Sequence, residues 1–296
     1  MPISQLHLLS VWLCLITGLS ATHANTPAEA PLPLPGRTLW LNLDSAPYPH
    51  ASRQAGYTRN NILYPAEDHY EDNTVLIYIP ASVSISDTID VLVYFHGHRN
   101  HVRKAVDEFR IREQLEASGR PLVLVFPQGP YNAPDSGCGK LADQNGLRDL
   151  LDEVRQSIST QDQAAPALGK VVLSGHSGAF RAIGRCLAFG GVREHIDEVH
   201  LLDASYGEWD TFIDWAAEDP EEHRLFSIFT NHLAAANVGM ITAMQAQELD
   251  YKLLGDEHET LPDRPWPTRV FVHSRLSNHN ETVSWLERSL RARGIE

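Results

Sequence analysis

The sequence predicts an α/β fold: a mostly parallel central sheet with helices on both faces. Apolar segments of strand length alternate with segments of helix length from about residue 74 to residue 293. The strand segments are apolar without interruption, as strands buried on both faces must be. The composition is that of an ordinary globular chain, 43% hydrophobic and 21% charged over 296 residues, so a large core needs no covalent staples.

The first 24 residues, MPISQLHLLSVWLCLITGLSATHA, contain no Asp, Glu, Lys or Arg. Leu8 to Leu19 have the apolar character of a signal h-region, and Thr22 and Ala24 are the small residues a signal peptidase reads. The run is short for a membrane span. Only His7 and the terminal amine supply positive charge before it, so an uncleaved anchor is the alternative reading. Cys14 follows Trp12 and Leu13 rather than the small residues of a lipoprotein site. The expectation is a signal peptide over 1–24, a Pro-rich segment over 25–36 containing APLPLPG, and a single domain over 37–296. The expected location is secreted or periplasmic.

The strands expected next are TVLIYIP (74–80) and DVLVYFHG (90–97), rich in β-branched and aromatic residues. A helix is expected over 102–118, with Val102, Val106, Phe109 and Leu115 roughly along one face. PLVLVFP (121–127) is the following strand. A long polar loop spans 128–146, and a helix runs from Leu147 to Ile158. KVVLSG begins at Lys170 as a strand and leads through Ser177 into a helix ending near Phe189. EVHLLD (198–203), a short helix at 209–217, and RLFSIFT (224–230) come next. A long helix is expected over 234–254, a last strand at 268–274, and a closing helix at 281–293.

Ligands of such a sheet bind at the carboxyl ends of its strands. Those ends carry His96-Gly97-His98 after 90–95, Gln128 after 121–127, Gly175-His176-Ser177-Gly178-Ala179 after the strand from Lys170, Asp203 after 198–202, and His279 beyond 268–274. A serine, an acid and a histidine thus fall at three strand ends in that chain order. A serine hydroxyl is a poor nucleophile at neutral pH and needs a base, which in turn needs an orienting group.

Here the chain resembles the α/β-hydrolase family over about residues 70–293. The elbow pattern is small-x-Ser-x-small, met by Gly175 and Ala179 around Ser177, although the family more often has Gly at the second small position. The resemblance implies Ser177 as nucleophile, His279 as base and Asp203 as acid. His232, after RLFSIFT, is the strongest rival base. Many family members place the acid one strand later; here Asn231-His232-Leu233 offers no carboxylate, which moves the choice to Asp203. The resemblance also implies an oxyanion hole from the amides of His98 and Gly178. Gly97, His176, Tyr131 and Tyr206 are expected to touch substrate, and Asp135, Ser136 and Lys140 offer further polar contacts. HGHRNH (96–101) could alternatively hold a metal through His96, His98 and His101, but it lies where the oxyanion turn belongs, so no metal and no cofactor is expected.

The net charge of −14 argues against nucleic acid and against steady contact with anionic lipid. The expected function is a secreted serine hydrolase that cleaves carboxylic esters, small or polymeric, through a Ser-His-Asp triad and an acyl-enzyme. A peptidase or amidase with the same triad, or a non-catalytic binding protein on the same scaffold, are the alternatives. No insertion large enough for a lid domain interrupts the strands. Cys138 and Cys186 are the two cysteines left after removal of the leader. A disulfide between them is expected to pin the 128–146 loop over the site.

Overall fold

A computed structural model describes residues 34–85, 87–159, 164–255 and 267–291. The expected signal peptide and all but the last three residues of the Pro-rich segment lie outside the described residues. Leu34–Glu296 forms one compact unit. No helix among the described residues is long and apolar enough to cross a membrane.

The apolar segments form strands β1 (Arg37–Asn42), β4 (Thr74–Ile79), β5 (Thr88–Phe95), β6 (Leu122–Pro127), β7 (Ala167–His176), β8 (Ile196–Leu202), β9 (Arg224–Phe229), β10 (Lys252–Gly255) and β11 (Arg269–His273). A separate two-stranded ribbon pairs β2 (Tyr57–Arg59) with β3 (Ile62–Tyr64). The helices are α1 (Ala66–His69), α2 (Val102–Glu108), α3 (Ile111–Ser118), α4 (Gly146–Ile158), α5 (Phe180–Phe189), α6 (Trp209–Glu218), α7 (Ala234–Ala246) and α8 (Leu286–Arg291). The nine-stranded sheet runs β1-β4-β6-β5-β7-β8-β9-β11-β10. Both pairings of β4 are antiparallel and all the others are parallel.

Side-chain alternation along the central strands explains the two covered faces. Val91, Val93, Val171 and Leu173 join one core with Leu150, Leu187, Phe212 and Met240 from α4 to α7. Their neighbours Leu92, Tyr94 and Val172 point the other way, into a core with Val106, Leu115 and Leu290 from α2, α3 and α8. A strand with both faces dry favours apolar residues, hence the apolar runs in the sequence; a buried exception, Glu198 on β8, is paired with Arg120 and His200.

Parallel register then lines up the strand ends. Phe95 is level with Gly175, His176 with Leu202, Leu202 with Ile228, and Phe229 with His273. The residues just past these positions are His96, Ser177, Asp203, Thr230 and Ser274, along a single edge of the sheet.

Several elements depart from the sequence expectation; the closing helix expected over 281–293, for one, starts only at Leu286, after a 3-10 turn over Glu281–Trp285. The helix expected over 102–118 is two helices, broken where Arg110 enters the left-handed region at φ 51°. The long helix expected over 234–254 stops at Ala246. Glu248 turns the chain at φ 60°, and β10 adds a parallel edge strand to β11. Leu253 on that edge is exposed, so the strand buries too little to betray itself by pattern. Finally, β1 and the β2–β3 ribbon were not anticipated. Both are half-buried or exposed and lack an apolar run.

Candidate active site

Ser177 leaves the end of β7 at φ 57°, a left-handed backbone angle that a residue with a Cβ adopts at a cost. The turn is tight: a Cβ on Gly175 would lie 2.5 Å from the Cβ of Ala179. That crowding is the physical content of the small-x-Ser-x-small pattern. A 3-10 turn over Ser177–Ala179 passes into α5.

Asp203, fully buried, ends β8 at φ 49°. Its Oδ2 accepts a 2.6 Å hydrogen bond from His279 Nδ1. Thr230, at the end of β9, donates its backbone N–H to Oδ1 at 2.8 Å and its hydroxyl to Oδ2 at 2.9 Å. Burial alone would push the Asp203 carboxyl up, but the bonds from His279 and Thr230 outweigh it and hold it below the usual carboxylate range. Asp203 is therefore an anion that orients His279 through Nδ1–H and leaves Nε2 for other work. The structure brings the three expected residues to one sheet edge. His279, a third exposed, lies 4.4 Å ring to ring from His176, the residue before Ser177.

His232, the rival base, belongs to the same cluster. Its Nδ1 is 3.8 Å from Asp203 Oδ2, beyond hydrogen-bond reach, and 2.7 Å from Thr230 Oγ1. Its Nε2 is 2.6 Å from the Tyr206 hydroxyl. Burial followed by the Asp203 charge raises the Tyr206 pKa, and the nearby Ser177 hydroxyl works against them. Asp203, His232 and His279 bring one donor atom each within 4.8 Å of one another, a spacing a divalent ion could use. In the structure those atoms are engaged with one another and with Thr230.

The opposite side of Ser177 is formed by the turn after β5. A Cβ on Gly97 would lie 2.8 Å from the Ser177 Cβ, so the backbone there abuts Ser177 and no larger residue fits. His96 fixes this turn. It is buried, its Nδ1–H donates to the Gly97 carbonyl at 2.8 Å, and its Nε2 accepts from Gln128 Nε2 and the Gly129 amide. Burial lowers its pKa to about 4, consistent with a neutral ring. The His98 ring lies over Gly178 and bonds Ser136 Oγ at 2.7 Å. Burial and then the nearby Arg59 guanidinium lower the His98 pKa, with Arg181 and Arg99 adding to the effect. His101 caps α2 by accepting from the Lys104 amide and stacks on Tyr131. The three histidines of HGHRNH thus have three separate structural tasks.

The 128–146 loop is held without a disulfide. Cys138 and Cys186 are both free thiols, and the expected bond between them is absent. Burial raises both thiols, Cys138 to about 11. An ion pair ties the loop down instead: Arg53 Nε to Asp135 Oδ2 at 2.6 Å and Arg53 Nη2 to Oδ1 at 2.9 Å. The Tyr70 hydroxyl and the Gly137 amide also donate to Asp135. Arg59 Nη1, on β2, donates to the Pro134 carbonyl at 2.8 Å. Asp135 and Lys140, expected near substrate, are spent on this scaffold, Lys140 by donating to the Asp44 carbonyl. Behind Gly178 lies a cavity of about 30 Å³ lined by Phe95, Pro127, Ser136, Cys138 and Leu141, room for about two waters.

Two expected substrate contacts are placed elsewhere. His176 is buried beneath the site, where its Nε2–H donates to the His279 carbonyl at 3.0 Å and its ring packs on Phe109. Burial, followed by repulsion from His279, lowers its pKa to about 3. Tyr131 stacks on His101 at 4.6 Å, at the start of α2. Tyr206, by contrast, is 42% exposed and stands beside Ser177, Phe180 and His279. The sequence reading missed Thr230 and Gln128 as site residues. The signal was available, since both directly follow a strand that ends on this edge.

No protein-family model matches the sequence, and neither does any curated protein. Solved structures do. A fluorophosphonate-binding serine hydrolase of Staphylococcus aureus superposes with a TM-score of 0.50 at 12% identity, over 86% of this chain and 97% of that one. A ferulic acid esterase superposes with a TM-score of 0.52 at 12% identity, over 86% and 96% of the two chains. The chain has the α/β-hydrolase fold. At such low identity the likeness speaks for the fold, and an α/β-hydrolase scaffold hosts many chemistries. The chemistry has to come from the site itself.

Proposed function

We propose that this protein is a serine hydrolase that cleaves carboxylic ester bonds through Ser177, His279 and Asp203. The observation that carries the proposal is the 2.6 Å bond between a buried, ionised Asp203 and His279 Nδ1, on the same sheet edge as a serine at φ 57°. In this reading Ser177 Oγ attacks the ester carbonyl while His279 Nε2 takes its proton. The amides of Gly178 and His98 hold the oxyanion, in a turn that Gly97 and His96 bring against the nucleophile. His279 then protonates the leaving alcohol. Water, activated by the same imidazole, releases the acid from the acyl-enzyme.

The structurally similar proteins named above are a serine hydrolase and an esterase, so an ester panel is the natural first test. We further propose that the protein works outside the cytoplasm after removal of residues 1–24, on a small or polymeric ester. The deciding experiment combines a fluorophosphonate probe with an ester panel of varied acyl length. Wild type should label once and turn over short aryl esters. Ser177→Ala should neither label nor turn over, with kcat lower by several orders of magnitude. Near-normal turnover by Ser177→Ala would overturn the reading. A leader retained on protein recovered from the culture medium or periplasm would overturn the proposed processing.

A further inference from the structure

The acid and base proposed above share their place on the sheet edge with a second imidazole that the reaction does not use. Asp203, His232 and His279 each offer one donor atom, and the three atoms lie within 4.8 Å of one another. Asp203 Oδ2 is 2.6 Å from His279 Nδ1 and 3.8 Å from His232 Nδ1. A tetrahedral zinc ion, bound at about 2.0–2.1 Å, holds neighbouring ligand atoms about 3.4 Å apart. One of these spacings has to open and the other to close, each by under about 1 Å. Two imidazoles and a carboxylate suit zinc and its first-row neighbours rather than magnesium or calcium. The approach is open on one side: the carboxylate is fully buried, while the side chains of His279 and His232 are 35% and 47% exposed.

We propose that Asp203, His232 and His279 form a zinc site, and that zinc held there switches the enzyme off. The inhibition rests on the serine-hydrolase reading above; the site itself does not. The groups around the three ligands suit the bound state. Asp203 Oδ1 keeps the Thr230 amide at 2.8 Å, so the carboxylate stays fixed while Oδ2 serves the ion. A metal-bound imidazole carries its hydrogen on the other ring nitrogen and donates it to a nearby oxygen. For His232 that oxygen is in place, since the Tyr206 hydroxyl is 2.6 Å from Nε2. The Thr230 hydroxyl has to move. It lies 2.9 Å from Oδ2 and 2.7 Å from His232 Nδ1, and a change of χ1 rotamer takes it off that line.

Inhibition follows from where the hydrogen of His279 sits. As a base, His279 holds its one hydrogen on Nδ1, toward Asp203, and keeps the Nε2 lone pair for Ser177. Zinc needs the lone pair at Nδ1. The hydrogen there passes to solvent, and one from solvent is taken up at Nε2. The neutral ring is then a donor at Nε2 and cannot accept the Ser177 proton. No bond to carbon changes, nothing is oxidised or reduced, and removal of the ion by a chelator reverses the step.

The test is calorimetric titration of the metal-free protein with zinc, with p-nitrophenyl acetate turnover and fluorophosphonate labelling alongside. Wild type and Ser177→Ala should each bind one zinc with the same Kd, because Ser177 is not a ligand. Magnesium in about 100-fold excess should not compete. Zinc should suppress turnover and labelling of wild type, and EDTA should restore both. Loss of a supporting hydrogen bond costs a metal site about 10–100-fold in affinity, and loss of a ligand should cost no less. His232→Gln should therefore weaken zinc binding at least about 10-fold. Its half-inhibitory zinc concentration, measured against its own metal-free rate, should rise by the same factor. His232→Cys, whose thiolate is a zinc ligand, should recover most of the affinity. Undiminished zinc binding by His232→Gln would overturn the inference, as would a wild type that binds no zinc or keeps its turnover with zinc bound. Should His232→Gln fail to fold, calorimetry on Asp203→Asn, which removes the charged ligand, decides on the same criterion. Wild type that neither labels nor turns over without zinc would remove the serine-hydrolase reading, and the titrations would still decide the site.

Discussion

The two sides of the site are built by different means. Ser177, Asp203 and Thr230 directly follow adjacent parallel strands, and His279 lies a few residues beyond the next one. The sheet register that aligns His176 with Leu202 and Phe229 with His273 fixes their spacing. The other side, formed by the 128–146 loop and the β2–β3 ribbon, has no register to rely on. It is tied by one half-buried ion pair between residues 82 apart, Arg53 and Asp135, and by single bonds such as Ser136 to His98 and Arg59 to Pro134. A ladder of many weak bonds places the reacting groups, and a few strong contacts place the wall. Damage to the first side should cost rate with little stability, and damage to the second should cost both.

The sharpest way to break this contrast is Asp203→Asn. The amide would donate where His279 now donates and would push the imidazole into the wrong tautomer. The expected loss in kcat is about 10³–10⁴-fold, with a melting temperature close to wild type. Steady-state kinetics and calorimetry check both halves, and a fall in kcat of less than 10-fold would contradict the assigned role.

Asp135→Ala should show the opposite signature. It strands a partly buried Arg53, and removing one partner of such a pair costs about 3 kcal/mol, roughly 5 °C in Tm for a domain of this size. KM should rise while the labelled fraction stays complete. The effect has a sign in pH. Burial raises the Asp135 carboxyl, but the Arg53 hydrogen bond and charge pull it below its ordinary value. A depressed carboxylate contributes its full stability above the unfolded pKa of about 3.9 and loses it as pH falls through the lower folded value. The gap in Tm between wild type and Asp135→Ala should therefore be wide at pH 6 and narrow below pH 4. A gap independent of pH would rule out the ion pair as its source.

His176→Phe tests a contact between elements on the first side. The ring stays and only the donor to the His279 carbonyl is lost. A drop of about 10-fold in kcat with unchanged KM is expected, and unchanged kcat would leave His176 as packing alone. The smallest effect expected is from reductant. Cys138 and Cys186 should both alkylate in denaturant without prior reduction, and activity should not respond to a reducing agent. A single non-alkylating pair in mass spectrometry would restore the staple in place of the ion pair.

This division also decided what could be read from the sequence. Residues fixed by the sheet sit next to apolar runs that announce themselves, so Ser177 and Asp203 could be proposed from strand ends, while the choice of His279 over His232 needed the family resemblance. Gly97 was legible for the same reason. The ion pair was not, because nothing in a linear sequence links Arg53 to Asp135. Cys138 and Cys186 invited a covalent explanation for an order that an arginine provides. His176 was misjudged because adjacency to a nucleophile says nothing of which way a side chain turns, and β7 sends this one inward. The helix at Ala234–Ala246 was foreseen but its end was not, since β10 exposes Leu253 and carries no buried stripe.

The backbone angle at Asp203 has a consequence for which acid can stand there. At φ 49° the residue occupies a region where Asp and Asn are several-fold enriched and longer side chains are scarce. Glutamate would bring an equal charge and a similar basicity, so electrostatics alone would accept it. The extra methylene, however, would carry the carboxylate past the amide and hydroxyl of Thr230. The reach from the end of β8 to Thr230, and not charge, thus separates the two acidic amino acids at this position.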